Sequence, residues 1–129
     1  MNSLPPDHDA PDLSRLLGRD YWMVTSTPAD GTTAEDIAAL APAHIAWLLD
    51  LEERHLVFLS GPLVSGPGAN PGSGVTVLRA SDEAEATAIA SADPFVTAGL
   101  RTFVVHQWRL NEGSVSIRLS LGRGTYEWQ

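Results

Sequence analysis

The chain has 129 residues, 43% of them hydrophobic, which fits one folded domain with a single core and excludes a disordered chain. It contains no cysteine, so disulfides, zinc–thiolate sites, iron–sulfur clusters and a thiol nucleophile are excluded. A formal net charge of −8 with no Lys/Arg cluster argues against nucleic acid and anionic membranes as partners, and no apolar run reaches the roughly 18 residues a bilayer requires.

Residues 1–19 read as a polar, proline-rich arm, with one helical turn at Asp12–Leu17. They lack the basic and apolar segments of a secretory signal, and the expected location is cytoplasmic. A single domain is expected over 20–129. Its first strand is the aromatic and β-branched stretch "YWMVTSTP", 21–28. Asp30-Gly31 marks a turn, and Thr32 with Glu35 fits a capping box, which makes Thr32 the expected N-cap. The helix that follows carries apolar residues at Ile37, Leu40, Ile45, Leu48, Leu49 and, less regularly, Leu51. Pro42 interrupts it, so a kink or a second start near Pro42 is expected.

"LVFLSG", 56–61, is apolar without alternation, which predicts a strand buried on both faces. A Gly/Pro-rich loop runs to Gly74. It matches neither a Walker loop nor a dinucleotide turn, and it reads as a hairpin connection or a lid over a cleft. "VTVLRA", 75–80, is the next strand. Asp82 with Glu85 suggests a second capping box, ahead of the Ala-rich helix that Asp93-Pro94 ends. "RTFVVHQWRL", 101–110, is a strand. After the Asn111-Glu112-Gly113 turn, "SVSIRLSL" and "TYEW" form a C-terminal hairpin. The core order βαββαβ, followed by extra C-terminal strands, is that of an α+β, ferredoxin-like plait.

His44 is a candidate proton-transfer group, since imidazole titrates near neutrality. Asp93, fifty residues away, could brace it only through the fold, and its place before proline biases it out of helix. Ser60, Gly61 and Pro62 end a strand beside the start of that helix. Ser60 is a candidate donor to a substrate oxygen, not a nucleophile, because no nucleophile elbow surrounds it. Phe95 is the aromatic residue nearest Asp93 and a candidate platform for a ring. His106 shares a strand face with Val104, Trp108 and Leu110. It is a candidate lining residue, with core or interface packing as the alternative. No second ligand pattern supports haem or another metal there, and no cofactor is expected.

Three motifs, "PAHIAWLLDLEERHLVFLSGP", a Gly/Pro loop and "SDEAEATAIASADPFVTAGL", together resemble the YciI-like (YCII-related) family. The shared pattern is Pro-x-His on the first helix, a strand ending in Gly-Pro, and a helix ending in Asp-Pro-[Phe/Tyr] before Ala-Gly. Two positions depart from it: Ala41 stands where an arginine often precedes Pro-x-His, and Arg54-His55 replaces a closing glycine. The resemblance implies a dimeric α/β barrel and a His–Asp pair that maps onto His44 and Asp93. Muconolactone isomerases share that barrel, and one branch of the family removes chloride from a chlorinated hydroxyhydroquinone. The expectation is therefore a homodimeric, cofactor-independent lyase or isomerase acting on a small cyclic or hydroxyaromatic molecule. The alternative is a non-catalytic binding or interaction module of the same fold, to which Ala41 lends support.

Overall fold

The computed structural model describes residues 10–129, so the beginning of the expected N-terminal arm lies outside the described residues. The described residues divide into two compact units: Asp20–Arg109, and residues 10–19 together with Leu110–Gln129.

In the second unit, a 3-10 turn at Leu13–Arg15 is capped by the Asp12 side chain, which accepts from the Ser14 N–H. The Leu17 N–H donates to the Asn111 carbonyl at 3.0 Å. The expected hairpin is present as β5 (Ile117–Ser120) and β6 (Thr125–Trp128). Its register sets Ile117 opposite Trp128 and Leu119 opposite Tyr126, while Arg118 faces Glu127 on the alternate side.

The first unit is built on β1 (Arg19–Pro28), α1 (Ala34–Glu53), β2 (Val57–Pro62), β3 (Gly74–Leu78), α2 (Glu83–Ser91), a single turn α3 (Pro94–Thr97) and β4 (Arg101–Leu110). The sheet order is β2-β3-β1-β4. β3 runs antiparallel to both β1 and β2. Side-chain bonds from Thr25 to the Val104 carbonyl and from Thr102 to the Thr27 carbonyl tie β1 to β4 in the antiparallel sense. This is the ferredoxin-like arrangement expected from the element order.

Alternation assigns the faces. Val24 and Leu78 point to the helices and pack on Ala86 and Ala90 of α2. Those alanines stand four apart on one helix face, and their small side chains let α2 lie close to the sheet. Trp47 of α1 borders the same small internal hollow as Val24, Leu78 and Ala90, so both helices cover one face. The opposite face carries Val104, 55% exposed, and His106, also exposed.

Local chemistry corrects several expectations. The N-cap of α1 is Thr33, which forms a reciprocal capping box with Asp36, one residue after the expected Thr32. α1 runs unbroken through Pro42. Proline deletes one N–H donor, a loss that a 20-residue helix tolerates within its other bonds. Asp82 caps α2 by accepting from the Glu85 N–H, but Glu85 answers to Ser81 instead of closing a box. β2 is an edge strand, mostly exposed, where burial on both faces was expected. An unbroken apolar run reports affinity for a sheet, not a place at its centre.

Candidate functional site

α1 presents His44 and Leu51 to the interior, two turns apart on one face. Asp93 sits at the break between α2 and α3. Its φ of −56° and ψ of 126° are the extended geometry that a following proline enforces. That geometry turns its carboxylate back as the N-cap of α3, with Oδ1 accepting from the Phe95 N–H at 3.0 Å. The same oxygen lies 2.8 Å from Nδ1 of His44.

Arg101, at the start of β4, completes the cluster. Its Nη1 donates to Asp93 Oδ2 at 3.0 Å and its Nε to the Gly72 carbonyl at 2.9 Å. All three side chains are largely withdrawn from water: 11% exposed for His44, 9% for Arg101 and 5% for Asp93. Gly72 is held at φ 96°, and a Cβ there would come within 2.9 Å of Ile37 Cδ1, so glycine suits the backbone and the close approach together.

Burial pushes the Asp93 carboxyl up. Against it act the hydrogen bonds from His44 and the Phe95 N–H and the charges of His44 and Arg101, and the balance holds the group below the usual carboxylate value. Asp93 is therefore an ionised, acceptor-only partner, so His44 donates to it from Nδ1–H. Nε2 is then the ring nitrogen turned away from Asp93. Among the described residues it has no hydrogen-bond partner, and no buried side-chain nitrogen or oxygen there is left unpartnered, so Nε2 retains access to the hollow that His44 borders. Phe95, 2% exposed, stacks on the imidazole at 4.5 Å between ring centres and lies 4.8 Å from the Arg101 guanidinium carbon.

The hollow is a groove of about 680 Å³ between one face of α1 and strands β2 and β3. It brings together six of the seven residues singled out in the sequence: His44, Ser60, Gly61, Pro62 and Phe95 line it, and Asp93 stands behind His44. Ser60 Oγ lies 3.0 Å from Thr76 Oγ1, a cross-strand pair at the groove wall. His106 stands apart, on the far face of the sheet. Ile45 and Leu49, part of the apolar stripe of α1, are 50% and 56% exposed and line the groove. Apolar periodicity located the face of α1 but not what covers it.

Arg101 escaped the sequence reading, although a signal was present. Odd positions of β4 face the helices, so Arg101 shares a face with Phe103 and Val105. A cation in that company requires a buried carboxylate, and Asp93 lies eight residues earlier. Ala41 lines the groove where the usual arginine would stand. Among the described residues, no group of three or more His, Cys, Asp or Glu side chains is placed to hold a metal, and no helix is long and apolar enough to cross a membrane.

The YCII-related domain profile matches residues 21–109, well over half of the chain. No curated protein matches it. Among solved structures, the fold is similar to that of 5-chloro-2-hydroxyhydroquinone dehydrochlorinase from Burkholderia phenoliruptrix in complex with 2,5-dihydroxybenzoquinone. The TM-score is 0.56 at 22% identity, over 68% of this chain and 92% of that chain.

Proposed function

From the premise that this chain belongs to the YCII-related domain family, we propose that it is a small cofactor-independent enzyme in which His44 and Asp93 move a proton on a small cyclic or hydroxyaromatic molecule. The observation that carries the reading is the 2.8 Å bond between His44 Nδ1 and an Asp93 carboxylate held by Arg101, with the opposite ring nitrogen open to the groove.

Nε2 takes a proton from an activated C–H or O–H. Asp93 holds the required tautomer and stabilises the imidazolium that forms. The electron pair left on the substrate has two outlets. It can accept the proton back at another carbon, which is isomerisation, or it can expel a leaving group, which is elimination. The similar fold of a dehydrochlorinase acting on a hydroxyhydroquinone supports the second outlet by analogy. Arg101 does not touch the reacting atoms in this scheme; it positions Asp93.

Chloride release from 5-chloro-2-hydroxyhydroquinone and solvent-deuterium exchange into unchlorinated hydroxyhydroquinone test the chemistry. His44→Ala and Asp93→Asn should each lower the rate by about 10²–10⁴-fold, the usual range for a positioned general base. Activity surviving in both variants within a few-fold would refute the dyad, and absence of turnover in the wild-type protein would favour the binding-module reading.

We also place the protein in the cytoplasm as a homodimer. The exposed Val104 and His106 on the sheet face away from the helices support pairing of that face with a second copy. A monomeric mass by light scattering at micromolar concentration would remove the dimer.

A further inference from the structure

His44 lies partway along the groove, which Ile37 and Ala41 line on one side of it. The same hollow continues along α1 past Ile45 and Leu49 to His55 and Arg79. His44 and His55 are eleven residues apart on and just beyond one helix, about 16 Å along its axis. A single hydroxylated ring seated against His44 and Phe95 is far shorter than that separation.

The far end ends in a cation. Arg79 is half-buried, and among the described residues it makes no salt bridge within 4.0 Å, whereas Arg101 is committed to Asp93. Its Nη1 is anchored to the Val57 carbonyl at 2.8 Å and, at 3.5 Å, to that of His55, and its guanidinium lies 5.1 Å from the Phe58 ring centre. No hydrogen bond engages Nε or Nη2 among the described residues. Those two atoms form the edge of a guanidinium that grips a carboxylate in two parallel bonds. The anchored Nη1 fixes the plane of that edge in advance, which lowers the ordering cost of binding. Between His44 and Arg79 the wall is mainly apolar, with Ile45, Leu48, Leu49 and Val57, and the volume is in the range of pockets that enclose whole small molecules.

We propose that Arg79 is a specificity residue and that the groove takes an elongated substrate: a ring at His44, an apolar spacer along Ile45 and Leu49, and an anionic tail, best a carboxylate, at Arg79. This shape rests on the reaction site lying at His44. Glu52 lines the same far end and works against an anion there, so it is the natural place to tune the effect.

Calorimetric titration of the full chain with benzoate, 6-phenylhexanoate and 6-phenylhexan-1-ol tests the proposal. The long acid should bind at least about tenfold tighter than the short acid or the alcohol, the scale of one charge-assisted contact. Arg79→Met should erase the preference of acid over alcohol, and Glu52→Gln should widen it a few-fold. Melting curves accompany each variant, and the neutral, polar Arg79→Gln serves, with the same expected loss of preference, if Arg79→Met does not fold. Equal binding of acid and alcohol by the wild-type protein overturns the proposal without any variant, as does an acid preference that survives Arg79→Met. His44→Ala separates the two readings. The acid preference should persist in it while turnover is lost, whereas wild-type turnover without acid preference sinks the tail and spares the proton-transfer site.

Discussion

The groove around His44 and the groove around Arg79 are built by opposite means. At His44 every charge is answered: the imidazole and the Arg101 guanidinium converge on one carboxylate, and the Phe95 N–H closes the set. At His55, among the described residues, the cation of Arg79 meets carbonyl oxygens and an aromatic ring but no carboxylate within 4.0 Å, and the backbone beside it is strained. A saturated cluster has one low-energy arrangement and keeps a reacting nitrogen where it is needed. An unsaturated one has capacity to spare for an incoming group. The contrast separates a place for chemistry from a place for recognition.

The largest test of that contrast is to delete each arginine. Arg101→Leu leaves the Asp93 carboxylate buried with one cation fewer and should cost about 3–5 kcal/mol, as breaking buried ion pairs does. Arg79→Leu gives up carbonyl bonds and a ring contact at a half-exposed site and should cost about 1–2 kcal/mol. Urea unfolding of both variants measures the difference. Equal losses would mean that Arg79 is as structurally committed as Arg101 and would break the comparison.

A smaller effect appears in acid. Asp93 is held below the usual carboxylate value in the folded protein, so the unfolded chain takes up the proton first as pH falls. Its contribution is fully present above the unfolded value, about pH 4, and is lost as pH drops through the lower folded value. Asp12 and Asp20 are also held low, by Ser14 and Arg109, but they are exposed and common to every variant. The wild-type urea midpoint should therefore fall more steeply between about pH 5 and pH 3 than that of Asp93→Asn, while Arg79→Leu keeps the wild-type slope. Parallel slopes for wild type and Asp93→Asn would show that the carboxylate gains nothing from its partners.

Which parts of this were legible beforehand follows from how local each signal is. β4 was readable to the residue because ten consecutive positions carry one pattern. Asp93 was readable because proline acts on its immediate neighbour. The edge position of β2 was not, since strand order is settled by pairing among distant segments. Pro42 misled because its cost is local, while the length and packing of α1 are not. His106 was placed on the correct strand face beside Val104 and Trp108, but which face the helices cover was decided by Ala86 and Ala90. The resemblance joined His44 to Asp93 across that distance; composition and spacing alone could not. Arg101 was hidden because an arginine beginning a strand looks solvated until its face is known.

The smallest effect concerns His55. It sits at φ 62° just past the end of α1, where the His55 N–H bonds to Glu52 and the Leu56 N–H to Leu51. This is a Schellman closure, whose left-handed residue is usually glycine. A Cβ in that conformation costs roughly 1–2 kcal/mol, and glycine returns part of the gain as chain entropy, so His55→Gly should stabilise the fold by about 0.5–1 kcal/mol. Thermal melting at a pH above the histidine range reads this directly. A lower melting temperature would mean that the imidazole makes a stabilising contact and that the far end is more fully built than the comparison allows. A higher one would show that a strained histidine stands at the groove wall at a cost to stability.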